Sequence, residues 1–205
     1  MGAQVKLPDF STEASYAGVV AGIDEAGRGP WAGPVVAAVV ILDRQHLPDG
    51  VNDSKQLSRP RREMLYDIIM ASAKAGVGIC SAQEVDRYNI LGATKQAMRR
   101  AYDALGTKPD VALVDGNQLP DLPCAMDAII DGDALCISIA AASIIAKVTR
   151  DRIMADLARE FPQYGWERNA GYGTREHQEA LARFGVTPYH RRSFAPIRKL
   201  LQQAA

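Results

Sequence analysis

Two apolar runs, 17–23 (AGVVAGI) and 35–42 (VVAAVVIL), stand on either side of GRGPWAGP at 27–34. Three glycines and two prolines among those eight residues exclude regular structure, so the segment is a loop. Further strands are expected at 76–81, 111–114 and 124–130, with helical patterns at 82–87, 90–105 and 139–161. Ser58, with Pro60 just inside, starts another helix whose apolar stripe is Met64, Leu65, Ile68 and Ile69. Thr174 caps a helix that Gly185 ends, and a last short helix follows Pro196. Early strands without a long connection, then strands alternating with helices, indicate an α/β fold on a mixed sheet. At 205 residues, against about 150 per domain, a single domain is expected. It spans 16–205, after a polar, flexible segment at 1–15.

Several classes of protein are excluded. The longest charge-free run, 29–42, has 14 residues and contains Pro30 and Pro34, whereas spanning a bilayer takes about 20 apolar residues. The start, MGAQVKLPDF, lacks the basic-then-apolar pattern of a secretory signal, and Lys6 spoils a myristoylation match. A cytoplasmic chain is expected. Cys80, Cys124 and Cys136 stand singly without C-x-x-C spacing, which argues for reduced, packed thiols and against a zinc site. His46, His177 and His190 are never four apart, so no histidine-built metal site is expected. Net charge is zero, yet residues 1–135 carry 13 basic and 18 acidic side chains while 136–205 carry 11 and 6. That division suits an acidic, cation-holding pocket beside a basic surface for a polyanion, and it equally suits two solvated faces.

Three of the apolar strands deliver an acid at the carboxyl end, where the loops of an α/β sheet collect ligands. The acids are Asp24-Glu25, Asp115 and Asp133. Any one of them alone reads as a turn or a helix cap, and Asp115-Gly116 and Asp131-Gly132 are turn signals in their own right. Recurrence at equivalent places, with no Lys or Arg in the same apolar segments, points further. Carboxylates gathered without basic partners repel one another, and a hard divalent cation removes that penalty. Oxygen-only ligation suits Mg²⁺ or Mn²⁺ rather than zinc. The glycines of the 27–34 loop let backbone N–H groups approach a ligand closely, although no G-x-x-x-x-G-K-[ST] phosphate loop occurs.

The segments AGIDEAGRGPWAGPVVAAVVILD (21–43), NDSKQLS (52–58), VDGN (114–117), DGD (131–133), IAAASIIAKVTRD (139–151), FPQYG (161–165), GYGT (171–174) and HRRSF (190–194) together resemble type 2 ribonuclease H, ribonuclease HII, of bacteria. The resemblance runs over nearly the whole chain from Val19 onward. It implies a ribonuclease H-like fold, with a central mixed five-stranded sheet flanked by helices and a helical C-terminal part. It implies four catalytic, metal-holding carboxylates, Asp24, Glu25, Asp115 and Asp133, and two divalent cations, Mg²⁺ or Mn²⁺. The implied activity is endonucleolytic hydrolysis of the RNA strand of RNA–DNA hybrids. It includes nicking of duplex DNA 5′ of embedded ribonucleotides, leaving a 3′-hydroxyl and a 5′-phosphate, as DNA replication and repair require.

Substrate contacts follow from the same resemblance. Backbone groups of Gly27, Arg28 and Gly29 match the loop that meets the 2′-hydroxyl, the group that tells RNA from DNA. Tyr172 matches a tyrosine that packs on the sugar of the following deoxynucleotide; by itself it reads as a half-buried core residue. Lys55, Ser143, Lys147, Arg191 and Arg192 are expected phosphate contacts. Ser143 and Lys147 lie i, i+4 on one helix face, and a solvated pair is the plainer alternative there.

Two departures from the family pattern stand out. Asp131 replaces a usual lysine two residues from Asp133, which either strengthens cation binding or raises the pKa of Asp133. Asn169-Ala170 replaces a usual His-Lys and loses a basic group. A monomer is expected, with RNA–DNA hybrid and ribonucleotide-containing duplex as partners, no membrane, and no long sliding-clamp tail. Two other functions compete: a catalytically silent hybrid-binding module, and a phosphoesterase acting on small nucleotides, which would not need the basic C-terminal third.

Overall fold

The computed structural model describes residues 7–203. Five strands, β1 (Val20–Ala26), β2 (Val35–Ile41), β3 (Lys74–Cys80), β4 (Val111–Asp115) and β5 (Ala125–Ile129), form one sheet in the order β3-β2-β1-β4-β5. The short 27–34 loop leaves β2 antiparallel to β1, and β3 is antiparallel to β2. Longer connections bring β4 and β5 in parallel to β1. The mixed five-stranded sheet expected from the family resemblance is present.

Helices cover both faces. Helix α2 (Ala82–Ala104) packs Ala93, Ala97, Met98 and Ala101 against Ile23, Ala37 and Val114. On the other face, α1 (Arg59–Ser72) and α4 (Ile137–Glu160) pack Leu65, Ile69, Ala141 and Ile144 against Ala38 and Val40. Each such Leu or Ile, fully buried, contributes about 1.5–3 kcal/mol. Burial on both faces explains why β2 reads as an unbroken apolar run. Gly22 lets α4 cross directly over β1, since a Cβ there would lie 2.2 Å from the Ser138 carbonyl carbon. The C-terminal part gathers α5 (Trp166–Asn169), α6 (Arg175–Phe184) and α7 (Ala195–Gln203) around Met154, Tyr164, Trp166 and Leu181. Among the described residues, no helix is long and apolar enough to cross a membrane.

Local signals explain most boundaries. Ser58 accepts from the Arg61 N–H at the start of α1, and Thr174 accepts from the His177 N–H at the start of α6. Gly185 ends α6 with φ 77°, a backbone that glycine adopts without strain. The two helical patterns expected at 82–87 and 90–105 are both present and run on as α2, separated by the non-helical Asn89, where φ is 57°. All three cysteines are free thiols.

Three expectations change. Strand β1 continues to Ala26, so Asp24 and Glu25 lie inside it; the ladder to β2 pairs them with Ala38 and Ala37 and carries the strand past the acids. Asp133 sits beyond β5, on the short helix α3 (Gly132–Leu135). The flexible segment expected at 1–15 holds for none of its described part. Residues 1–6 lie outside the described residues, but 7–15 dock onto the start of α4. There the buried Glu13 carboxylate accepts from Ser138 N (2.8 Å) and Ser138 Oγ (2.6 Å). An acid at a helix N-terminus meets unpaired N–H groups and the positive end of the dipole, which offsets the loss of its own hydration.

Candidate active site

Sheet register assembles the acids. In the parallel pair β1·β4, Ile23 stands opposite Val114, so Asp24 and Asp115 are the next step on neighbouring strands and share a face. The turn after β5 adds Asp133, and Asp115 Oδ1 accepts from Gly132 N at 2.8 Å, tying that turn to β4. One carboxylate oxygen from each of Asp24, Asp115 and Asp133 lies within 4.8 Å of the others. Glu25, the next residue of β1, stays outside that trio but lines the same cleft, its carboxylate 3.2 Å from the Arg28 guanidinium. All four were expected at one centre; three meet, and Glu25 stands at the margin.

The electrostatics are those of an incomplete site. Burial pushes the Asp24 carboxyl well above its usual range, and the charges of Glu25 and Asp115 push the same way. Burial raises Glu25 too, against the pull of Arg28, and burial with the Asp133 charge raises Asp115. Lys55 Nζ, 3.1 Å from Asp133, supplies some positive charge. The donor set is oxygen only, buried at Asp24 and Asp133 and partly so at Asp115, and mutually repelling, and a hard divalent cation fits it.

Beside the acids is a cleft of about 270 Å³, lined by Gly27, Arg28, Gly29, Lys55, Lys147 and Tyr172 among others. Tyr172 is half exposed, and its Cε1 would lie 3.3 Å from a Cβ on Gly29, so the loop backs the ring. Gly27 has φ 94°, and a Cβ there would meet Arg150 Nε at 2.0 Å. No other residue fits.

The proposed phosphate contacts divide. Lys147 lines the cleft, with Nζ 2.7 Å from Asp151 on the next turn. Arg192 is exposed, and its backbone N–H donates to Asp86. Ser143 is buried; its Oγ donates to Ala140 O and accepts from Ser54 N at 3.2 Å. It fixes the turn that carries Lys55 and cannot meet a phosphate. Arg191 is also buried and cannot meet one. Its guanidinium donates to the carbonyls of Gly27, Arg28, Pro30, Gly33 and Pro34, at 2.6–3.0 Å. A trans peptide sets C=O and N–H on opposite sides, so the Arg28 and Gly29 N–H groups point away from Arg191. The buried arginine therefore aims the donors of the loop.

Sequence reasoning missed a second such residue. Arg150 on α4 is buried and donates to Pro34, Ala170 and Ala32 carbonyls at 2.9–3.1 Å. Nothing in the charged half of α4 distinguishes it by sequence from the exposed Arg152 and Arg159. Burial lowers Arg150 to about 10, and burial with the Arg150 charge lowers Arg191 to about 9; both remain cations at neutral pH. The Asn169-Ala170 departure also gains a role. Asn169 Nδ2 donates to Tyr164 O, its Oδ1 accepts from Gly171 N, and its carbonyl accepts from Tyr172 N at 2.9 Å. The lost basic group is replaced by a brace for the tyrosine turn. Asp131 is exposed with φ 53° and lies outside the carboxylate trio.

Comparison with known proteins supplies independent findings. The family model described as Ribonuclease HII matches residues 21–197. Ribonuclease HII of Paramagnetospirillum magneticum is 57% identical over 195 residues, 93% of this chain and 97% of that protein. Ribonuclease HII of Ruegeria pomeroyi is 54% identical over 201 residues, 96% and 86%. Among solved structures, the ribonuclease H2 from Pyrococcus horikoshii OT3 superposes with TM-score 0.77 at 28% identity, covering 90% of this chain and 98% of that one. Bst-RNase HIII in complex with Mn²⁺ shares the fold with TM-score 0.71 at 22% identity, covering 91% and 70%.

Proposed function

The chain belongs to the ribonuclease HII family, and from that premise we propose how its cleft divides the work. It is a metal-dependent endoribonuclease that hydrolyses the RNA strand of RNA–DNA hybrids. One observation carries the assignment of residues: three carboxylates converge within 4.8 Å beside a loop whose N–H groups are aimed by a buried arginine. Asp24, Asp115 and Asp133, with Glu25 at the margin, hold two divalent cations, Mg²⁺ or Mn²⁺. When bound, such cations activate the attacking water and stabilise the departing 3′ oxygen, so the products are a 3′-hydroxyl and a 5′-phosphate. The raised pKa values of the acids support this reading, because a pocket that strains its own charges gains most from a cation.

The rest of the cleft reads the substrate. The N–H groups of Arg28 and Gly29 meet the ribose 2′-hydroxyl. The Tyr172 ring packs on the next sugar, tolerating a deoxyribose and crowding a ribose. Lys55, Lys147 and Arg192 neutralise phosphates. We take the protein to act as a monomer, and we place its work in the cytoplasm with the DNA it maintains. The silent-module reading finds no support, since all four carboxylates are retained.

The test uses Mg²⁺ and duplex DNA carrying one embedded ribonucleotide. A nick on its 5′ side with a 3′-hydroxyl terminus is expected. Tyr172→Ala should lose on the order of 100-fold on that substrate and less on a continuous RNA strand, as expected for a positioning loss. Equal losses on both would remove Tyr172 from the recognition of the junction.

A further inference from the structure

Behind the tyrosine turn lie two histidines that the catalytic reading does not use. His177, on the first turn of α6, and His190, before α7, are both buried. Their Nε2 atoms are 3.0 Å apart. Every nitrogen of the pair has a forced role. A carbonyl oxygen only accepts, so His177 Nδ1 carries a proton and donates to Tyr172 O at 2.9 Å. The Thr187 N–H donates to His190 Nδ1 at 2.9 Å, so the proton of His190 is on Nε2 and is donated to His177 Nε2. The Trp166 indole N–H points at the same acceptor from 3.3 Å.

The pair joins two pieces of backbone that must keep a fixed distance. The His190 segment is tied to the 27–34 loop: Ala32 bridges to His190, Gly33 N donates to Tyr189 O, and Arg191 N donates to Trp31 O at 2.8 Å. His177 is tied to the carbonyl of Tyr172 itself. A direct tie runs in parallel, from Trp31 N to Gly171 O at 2.8 Å, but it stops one residue short of the tyrosine. Trp31 also packs on the His177 ring, with centroids 6.0 Å apart.

We infer that the His177–His190 pair positions Tyr172 against the 27–29 loop and so helps set selectivity for the RNA–DNA junction. The inference rests on the role proposed above for Tyr172. Burial supports it by holding His190 down at about 3 and lowering His177, which keeps both rings neutral, with one donor and one acceptor each.

The test compares kcat and KM on a single embedded ribonucleotide and on a continuous RNA–DNA hybrid. His190→Phe keeps a ring and removes both nitrogens. It should lower kcat on the junction substrate about 10-fold more than on the hybrid, with little change in KM, a small misplacement by the scale of positioning losses. His190→Gln puts an amide N–H where Nε2 stood and should restore most of the ratio. In a Tyr172→Ala background, His190→Phe should leave the ratio where Tyr172→Ala puts it. If His190→Phe does not fold, His177→Asn serves: it keeps a donor for the Tyr172 carbonyl, removes the acceptor for His190, and should show the same selective loss. Equal losses on both substrates, while Tyr172→Ala alone is selective, would overturn the inference and leave the pair a core contact. An unselective Tyr172→Ala overturns the junction role itself and is seen without any histidine variant.

Discussion

Two buried groups of ionisable side chains adjoin at the 27–34 loop, and they follow opposite rules. On the cleft side, Asp24, Asp115 and Asp133 are crowded with little positive charge, and burial forces Asp24 toward the protonated form. Behind the loop, Arg150 and Arg191 are cations without a carboxylate in hydrogen-bond contact among the described residues, yet their guanidinium groups are met by carbonyls. The two imidazoles beyond them are neutral and mutually bonded. A buried polar group is costly when unmatched and nearly neutral when matched. The cleft leaves its groups unmatched for a ligand to complete, while the block behind is complete and rigid.

The largest expected effect tests the unmatched side. Asp24→Asn keeps an oxygen and removes a charge, so turnover in Mg²⁺ should fall roughly 1000-fold or more, the scale of several kcal/mol of transition-state stabilisation. Hybrid binding should survive. Near-normal activity would show that the carboxylate trio is not the metal centre.

A smaller effect tests the matched side. Arg191→Lys keeps the charge but loses the planar fork that serves five carbonyls, and should cost about 3 kcal/mol in denaturant unfolding. Its activity should fall on both substrates alike. The salt dependence of binding should not move, because the side chain meets no phosphate. By contrast, Lys147→Ala or Arg192→Ala should each reduce the slope of log K against log salt by about 0.9 on a duplex. An Arg191 variant with a changed slope, beside unchanged Lys147 and Arg192 variants, would reverse the assignment.

The smallest effect is a difference of sign in pH dependence. Folded Asp24, Glu25 and Asp115 hold protons more tightly than when unfolded, so the metal-free protein should lose stability as pH rises from about 4 through their raised values. The imidazoles hold protons less tightly when folded. Their contribution is full above about pH 6.5 and is lost as pH falls toward about 3, the value of His190. The two windows overlap above about pH 4 with opposite signs, so melting curves in chelator should fall below about pH 4 through the imidazoles alone, and their upper limb should carry the loss from the acids. Asp24→Asn should flatten only the upper limb, and saturating Mg²⁺ should do the same in the unaltered protein. If Mg²⁺ shifted the acid limb instead, the two groups would not be separable in this way.

What the sequence made legible follows the same division. The acids could be found because repetition of an acid after an apolar run is a pattern along the chain. Their register, which puts Asp24 with Asp115, needed the strand pairing. Arg191 and Arg192 are neighbours with the same chemistry, and nothing local says that one is buried and the other exposed. Ser143 and Lys147 share a helix face by spacing, yet α4 tilts one under the Lys55 turn and leaves the other in the cleft. The histidines lack metal-ligand spacing in the sequence, and a bond between side chains 13 positions apart leaves no periodic trace. The segment 7–15 looked loose because its anchor, Ser138, is 125 residues from Glu13.

The longest of these reaches has a consequence for how the enzyme comes into being. Arg191 grips the carbonyl of Gly27 across 164 positions of chain. While the protein is being synthesised, the 27–34 loop has no such grip until residue 191 has left the ribosome and folded back, and contacts this distant are slow to close. A nascent chain already carries the acids of the cleft but not yet an aimed set of N–H donors. On the role proposed for that loop, discrimination between RNA and DNA is the last property the polypeptide acquires.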